Sequence, residues 1–124
     1  MANEIKSVTL PLGAFNGATE LPLAWIGGQY GGITVTEAYL VGPSAGTVIG
    51  GKIVTMGSVA TGGTPAIDGT VGTFAGTIVT AAGVVHGLTV STAYVGAGKW
   101  LGFDQTSGTV PAGTFIQVAY LAGK

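Results

Sequence analysis

The chain reads as all-β: a single-domain antiparallel β-sandwich, jelly-roll or Greek-key like, with about eight short strands. Three observations predict it. Segments rich in Val, Ile, Thr and aromatic residues are separated by Gly-, Pro- and Asn-containing turns about every 8 to 12 residues. No window repeats apolar residues at i, i+3, i+4 and i+7 among strong helix formers. The closing stretch Thr114–Leu121 carries Phe115, Ala119 and Leu121 on one parity and Ile116, Val118 and Tyr120 on the other. A strand apolar on both parities is normally covered on both faces.

Taken in order, Glu4–Leu10 alternates loosely and reads as an edge strand closed by Pro11, with residues 1–12 as a candidate N-terminal arm. Leu12–Thr19 is loop-like, Asn16-Gly17 marking a turn. Leu21–Ile26 is a short strand that Pro22 confines to an edge or a strand start. Ile33–Val41, β-branched, aromatic and bounded by glycines, is the clearest strand of the first half. After the Gly42–Gly46 turn come Thr47–Ile49 and Lys52–Val59, readable as one strand with a glycine bulge. Ile67–Thr80, Leu88–Val95, Lys99–Phe103 and Thr114–Leu121 complete the set. Asp104, Ser107-Gly108 and Pro111–Gly113 reverse the chain before the last strand. The glycine spacing follows no fixed period, which argues against a solenoid.

A length of 124 residues fits one domain spanning 1–124. Only 7% of residues are charged, there is no Arg, and the net charge is -1, with a mean hydropathy of +0.60. Ordinary soluble domains carry roughly 25% charged residues. So neutral a surface protects weakly against association, so the chain is expected to stand within an assembly. Lys6, Lys52, Lys99 and Lys124 are scattered, so a phosphate-binding patch, and with it a nucleic-acid partner, is not expected. The absence of cysteine excludes disulfides and thiolate metal sites. Met1–Lys6 lacks the pattern of a signal peptide, pointing to synthesis in a cytoplasm. Val71–Val90 has the length and neutrality of a membrane span. Its four glycines and many threonines instead suit two short strands, so no membrane partner is expected.

No residue pattern names a reaction. His86 is the only histidine, and nothing around Ser58, Ser91 or Ser107 forms a nucleophile elbow. Its expected place is the Val84–Gly87 turn or an interface. Glu20, Glu37, Asp68 and Asp104 show neither metal-ligand spacing nor any feature supporting a glycosidase pair. The glycines at 27, 28, 31 and 32 precede a strand, not the helix a phosphate cradle needs. The expectation is a non-enzyme with no cofactor and no metal. Aromatic residues carry the remaining ambiguity. Tyr39, Phe103 and Tyr120 are expected in the core, whereas Trp25, Tyr30 and Trp100, beside glycine loops or at a strand start, are candidate interface residues.

Ala38–Val41 followed by Gly46–Val54, then Trp100–Gln105 and Pro111–Val118, resemble the small β-sandwich head-decoration and auxiliary capsid proteins of tailed bacteriophages. The likeness covers roughly residues 33–122 and is one of style, short strands with Gly/Thr/Ala-rich turns. It implies a structural virion protein, made in the host cytoplasm, that binds the capsid exterior. Its partners would be the major capsid protein and copies of itself, commonly as a homotrimer. The rival expectation is a carbohydrate-binding or adhesion module of a tail fibre or surface appendage, with Trp25, Tyr30 or Trp100 exposed on a concave face.

Overall fold

A computed structural model describes residues 5–28, 31–57 and 65–123. Fourteen short strands replace the expected eight. They are β1 (Lys6–Pro11), β2 (Phe15–Asn16), β3 (Thr19–Ile26), β4 (Ile33–Val41), β5 (Gly46–Ile49), β6 (Lys52–Gly57) and β7 (Ile67–Thr73), then β8 (Thr77–Thr80), β9 (Val85–Gly87), β10 (Thr89–Val90), β11 (Tyr94–Val95), β12 (Lys99–Gln105), β13 (Thr109–Val110) and β14 (Phe115–Ala122). Every pairing between them is antiparallel.

One sheet runs β1-β14-β4-β11, with β9 also on β4, and the other runs β10-β7-β6-β12-β3. The two-stranded sheets β5-β8 and β2-β13 cap one end. The excess over eight is fragmentation. If residues 85–95 are taken as one span, the eight long spans are ordered first-eighth-third-sixth in one sheet and second-seventh-fourth-fifth in the other. That is jelly-roll order.

The sixth span is broken because it serves both layers. It runs along β4 from Val85 opposite Val41 to Val95 opposite Ile33, while Thr89 and Val90 between them pair with Thr73 and Gly72 of β7. It thereby seals one flank of the sandwich. The other flank lies between edge strands β1 and β3 and has no such closure.

The core lies between the layers. Leu40, Val35, Ile116 and Val118 from one sheet meet Ile53, Leu101 and Phe103 from the other, all essentially inaccessible to solvent. Phe15 leans on Phe103 with ring centres 6.1 Å apart. Gln105 is also buried; its side-chain amide donates to the carbonyls of Gly17 and Gly108, tying the β2-β13 cap to β12. Gly108 has φ +120°, and a Cβ there would strike the Thr47 carbonyl, so only glycine closes this turn.

Phe103 is core as expected, and Tyr120 packs partly buried against it. Tyr39 is not core. Its neighbours Ala38 and Leu40 point inward, so the pleat turns Tyr39 to the outer face, where its hydroxyl donates to Glu37 at 2.9 Å. Residues Lys6–Pro11 form an edge strand, not a detached arm, held along β14 from Lys6 opposite Tyr120 to Pro11 opposite Phe115. Val71–Val90 is strand and turn, and no helix among the described residues is long and apolar enough to cross a membrane.

Candidate functional site

Three surfaces stand out. The first is the outer face of the sheet containing β12. Cross-strand register aligns Ile67, Met56, Trp100 and Trp25 in one row across β7, β6, β12 and β3. Leu101 and Phe103, of opposite parity to Trp100, fill the core, so this row faces away from it. Trp25 is 49% exposed and meets the half-buried Trp100 edge-on, ring centres 5.5 Å apart. Met56 is buried even on this outer face, because Gly102 beside it has no side chain: a Cβ on Gly102 would sit 2.8 Å from the Met56 methyl.

The second is the open flank. A groove of about 210 Å³ enters between the layers there, lined by Val8, Ala24, Ile26, Ile33, Leu101 and Tyr120 among others. Trp25 stands at its margin.

The third is the end of the sandwich where β1, β4, β8 and β13 finish. Residues 12–18, 42–51, 74–84 and 106–114 build it, and none of them is ionisable. These loops are bound to one another: Gly17 N–H donates to Gly108, Gly50 N–H to Gly76, and the Thr80 hydroxyl to the Ser44 carbonyl at 2.8 Å. Val79 and Val85 project here, 60% and 57% exposed, with Val84 beside them. Register extends Val85 into an apolar row with Val41, Phe115 and Pro11 across the outer face of the first sheet.

The ionisable groups lie outside these loops, although His86 reaches one of them. Asp68 bridges the Lys99 ammonium and accepts from the Thr55 hydroxyl at 2.6 Å, and these contacts, Lys99 first, hold its carboxyl below the usual aspartate range. Asp104 stands opposite Lys52 on one side and Glu20 on the other, on the outer face of β12. Of the four carboxylates weighed in sequence, only Glu20 and Asp104 come together, on an open sheet face. The Glu37 carboxylate raises the pKa of the Tyr39 phenol that donates to it. His86 lies in β9, not in a turn, its Nε2 3.2 Å from the Val79 carbonyl. Ser91 donates to the Val71 carbonyl at 3.3 Å, and Ser58 lies outside the described residues. No group of three His, Asp or Glu among the described residues is arranged to hold a metal.

Of the candidate interface residues, Trp25 and Trp100 are brought together and Tyr30 lies outside the described residues. The Val79–Val85 surface was not singled out in sequence, although its signal is there. Val79-Thr80-Ala81-Ala82-Gly83-Val84-Val85 is the turn from β8 to β9, and its exposed positions carry no polar side chain.

No protein-family profile, no curated protein and no solved structure matches the chain.

Proposed function

We propose that the protein is a non-enzymatic structural component of a virion, decorating or cementing a bacteriophage capsid through contacts with copies of itself and with the major capsid protein. The observation that carries this reading is the uncharged end of the sandwich with its exposed Val79, Val84 and Val85. Isolated surface valines are ordinary, but three exposed valines within seven residues, set among uncharged loops, support a place where another protein sits. Hiding about 500 Å² of apolar area is worth roughly 12 kcal/mol gross, before the costs of association. Repeated around a shell, contacts of this kind resist lattice expansion. The resemblance in sequence style supplies the virion context, and a homotrimer is the assembly it implies.

The test is to detect the chain by mass spectrometry in purified particles of the phage that encodes it, and to add Val79→Asp/Val85→Asp protein to particles lacking it. Wild type is expected to bind and raise the particles' melting temperature, and the double variant to stay free while folding normally. Absence of the chain from the particle ends this reading.

A second reading, a carbohydrate-binding or adhesion module, draws on the exposed Trp25 indole beside the apolar groove. It predicts glycan-array binding that Trp25→Ala abolishes.

A further inference from the structure

Edge strands expose a row of backbone hydrogen-bonding groups, and native proteins usually block them with Pro, Lys, bulges or covering segments. Three of this sandwich's edges are treated that way. Strand β3 carries Pro22, and its pairing with β12 shifts register at Leu101/Gly102. The flank opposite is closed by residues 85–95 crossing between the sheets. Strand β1 differs: its blocking residues, Lys6 and Pro11, stand only at its two ends, leaving Ser7-Val8-Thr9-Leu10 unguarded.

The hydrogen-bond phase of β1 fixes which groups face outward. Leu12 N–H donates to the Thr114 carbonyl, continuing the register in which Leu10 faces Ile116 and Val8 faces Val118. In an antiparallel ladder the hydrogen-bonded pairs fall on every second residue. Even-numbered residues therefore bond to β14, while the N–H and C=O of Ser7 and Thr9 point away from the sheet. No backbone partner for them exists among the described residues.

We propose that β1 is a self-pairing edge: two copies of the chain join antiparallel along β1, about a two-fold axis at Val8, making the two five-stranded sheets one. Ser7 of each copy then exchanges N–H···O=C bonds with Thr9 of the other, which satisfies every outward group of the two residues. Pro11, lacking an N–H, falls at the margin, where none is required. Val8, 37% exposed, meets Val8 of the second copy in the close, non-hydrogen-bonded position. Charge favours this occupant and this direction. Lys6 is the one ionic residue of the strand, and antiparallel docking sends the two copies of it to opposite ends, whereas parallel docking sets them side by side. A net charge of -1 adds little repulsion between copies. One strand edge buries less than the roughly 800 Å² per partner of a standard interface, so the contact is a weak, concentration-dependent one. The edge is independent of the capsid reading.

Sedimentation of the full chain from about 10 μM to 1 mM, the range of weak association, is expected to show a concentration-dependent doubling of mass. Thr9→Pro removes an outward N–H and is expected to abolish the doubling. Because the chain has no cysteine, Val8→Cys supplies a clean probe, expected to cross-link into disulfide-bonded pairs under mild oxidation at least tenfold faster than Thr9→Cys, which faces Ser7 of the other copy. A mass that never doubles, a Thr9→Pro protein that still doubles, or equal cross-linking of the two cysteine variants overturns the proposal. If Thr9→Pro does not fold, the cysteine comparison decides alone.

Discussion

Trp25 and Trp100 stand directly opposite each other across β3 and β12, indoles edge-on at 5.5 Å and 65°. Such pairs are worth about 0.5–1.5 kcal/mol beyond the area they bury. Trp100 also borders the buried Met56, so the two partners are unequal. In urea denaturation Trp25→Ala is expected to cost about 1 kcal/mol and Trp100→Ala about 3 kcal/mol. A double-mutant cycle is expected to return a coupling near 1 kcal/mol. A coupling indistinguishable from zero means the rings touch without stabilising the fold.

Gly102 lets Met56 lie against the outer face of its own sheet. A Cβ there sits 2.8 Å from both the Leu21 carbonyl and the Met56 methyl, and the carbonyl is backbone that does not yield. Gly102→Ala is expected to destabilise by about 2 kcal/mol, within the range for overpacking. A melting temperature unchanged from wild type contradicts this close approach.

Gln105 has a buried Oε1 with no hydrogen-bond partner among the described residues, while its Nε2 donates to two carbonyls. Gln105→Glu places a carboxyl in that position. Burial disfavours its charged form and raises its pKa, so the penalty is small near pH 4 and grows as pH rises above the unfolded value. Unfolding measured at pH 4 and pH 7.5 is expected to show a loss larger by about 3 kcal/mol or more at the higher pH. Equal losses at both would mean water reaches the site.

Asp68 works in the opposite sense. Its carboxyl is held low by Lys99 and then by Thr55, so its contribution is present above the unfolded value of about 4 and is lost as pH falls through the lowered folded value. The pair is more than one-third exposed, which keeps its worth within about 1 kcal/mol. Asp68→Asn is expected to lower stability at pH 7 by about 0.5 kcal/mol and to flatten the acid limb between pH 4 and pH 2. An acid limb as steep as wild type assigns the acid sensitivity to another carboxyl.

Much of the fold was legible because glycines punctuate it. Ile33–Val41 is read with its observed ends, since glycines flank a β-branched run and no other element competes for it. Ile67–Thr80 reads as continuous strand but breaks at Phe74–Gly76, where Phe74 N–H turns to the Gly51 carbonyl and Gly50 N–H to Gly76. Those partners lie more than twenty residues away, beyond any local pattern. The inside/outside assignment of Tyr39 failed where β4 is apolar on both parities. Glu37, two residues earlier on the same face, was the available sign that the ring points outward. The meeting of Trp25 with Trp100, and of Glu20 with Asp104, depends on register between strands distant in sequence, which no spacing rule contains.

The placement of β1 beside β14 has a mechanical consequence. Antiparallel pairing puts Lys6 against Tyr120, so the two tails of the described chain leave from the same corner, where Gly123 N–H is held by the Gly32 carbonyl and its own carbonyl by the Thr34 hydroxyl. Tension applied through both tails therefore peels this ladder open one bond at a time instead of shearing it all at once. A molecule tethered by its tails yields at low force, whereas the same molecule gripped across its valine-tipped loops transmits load through the packed layers.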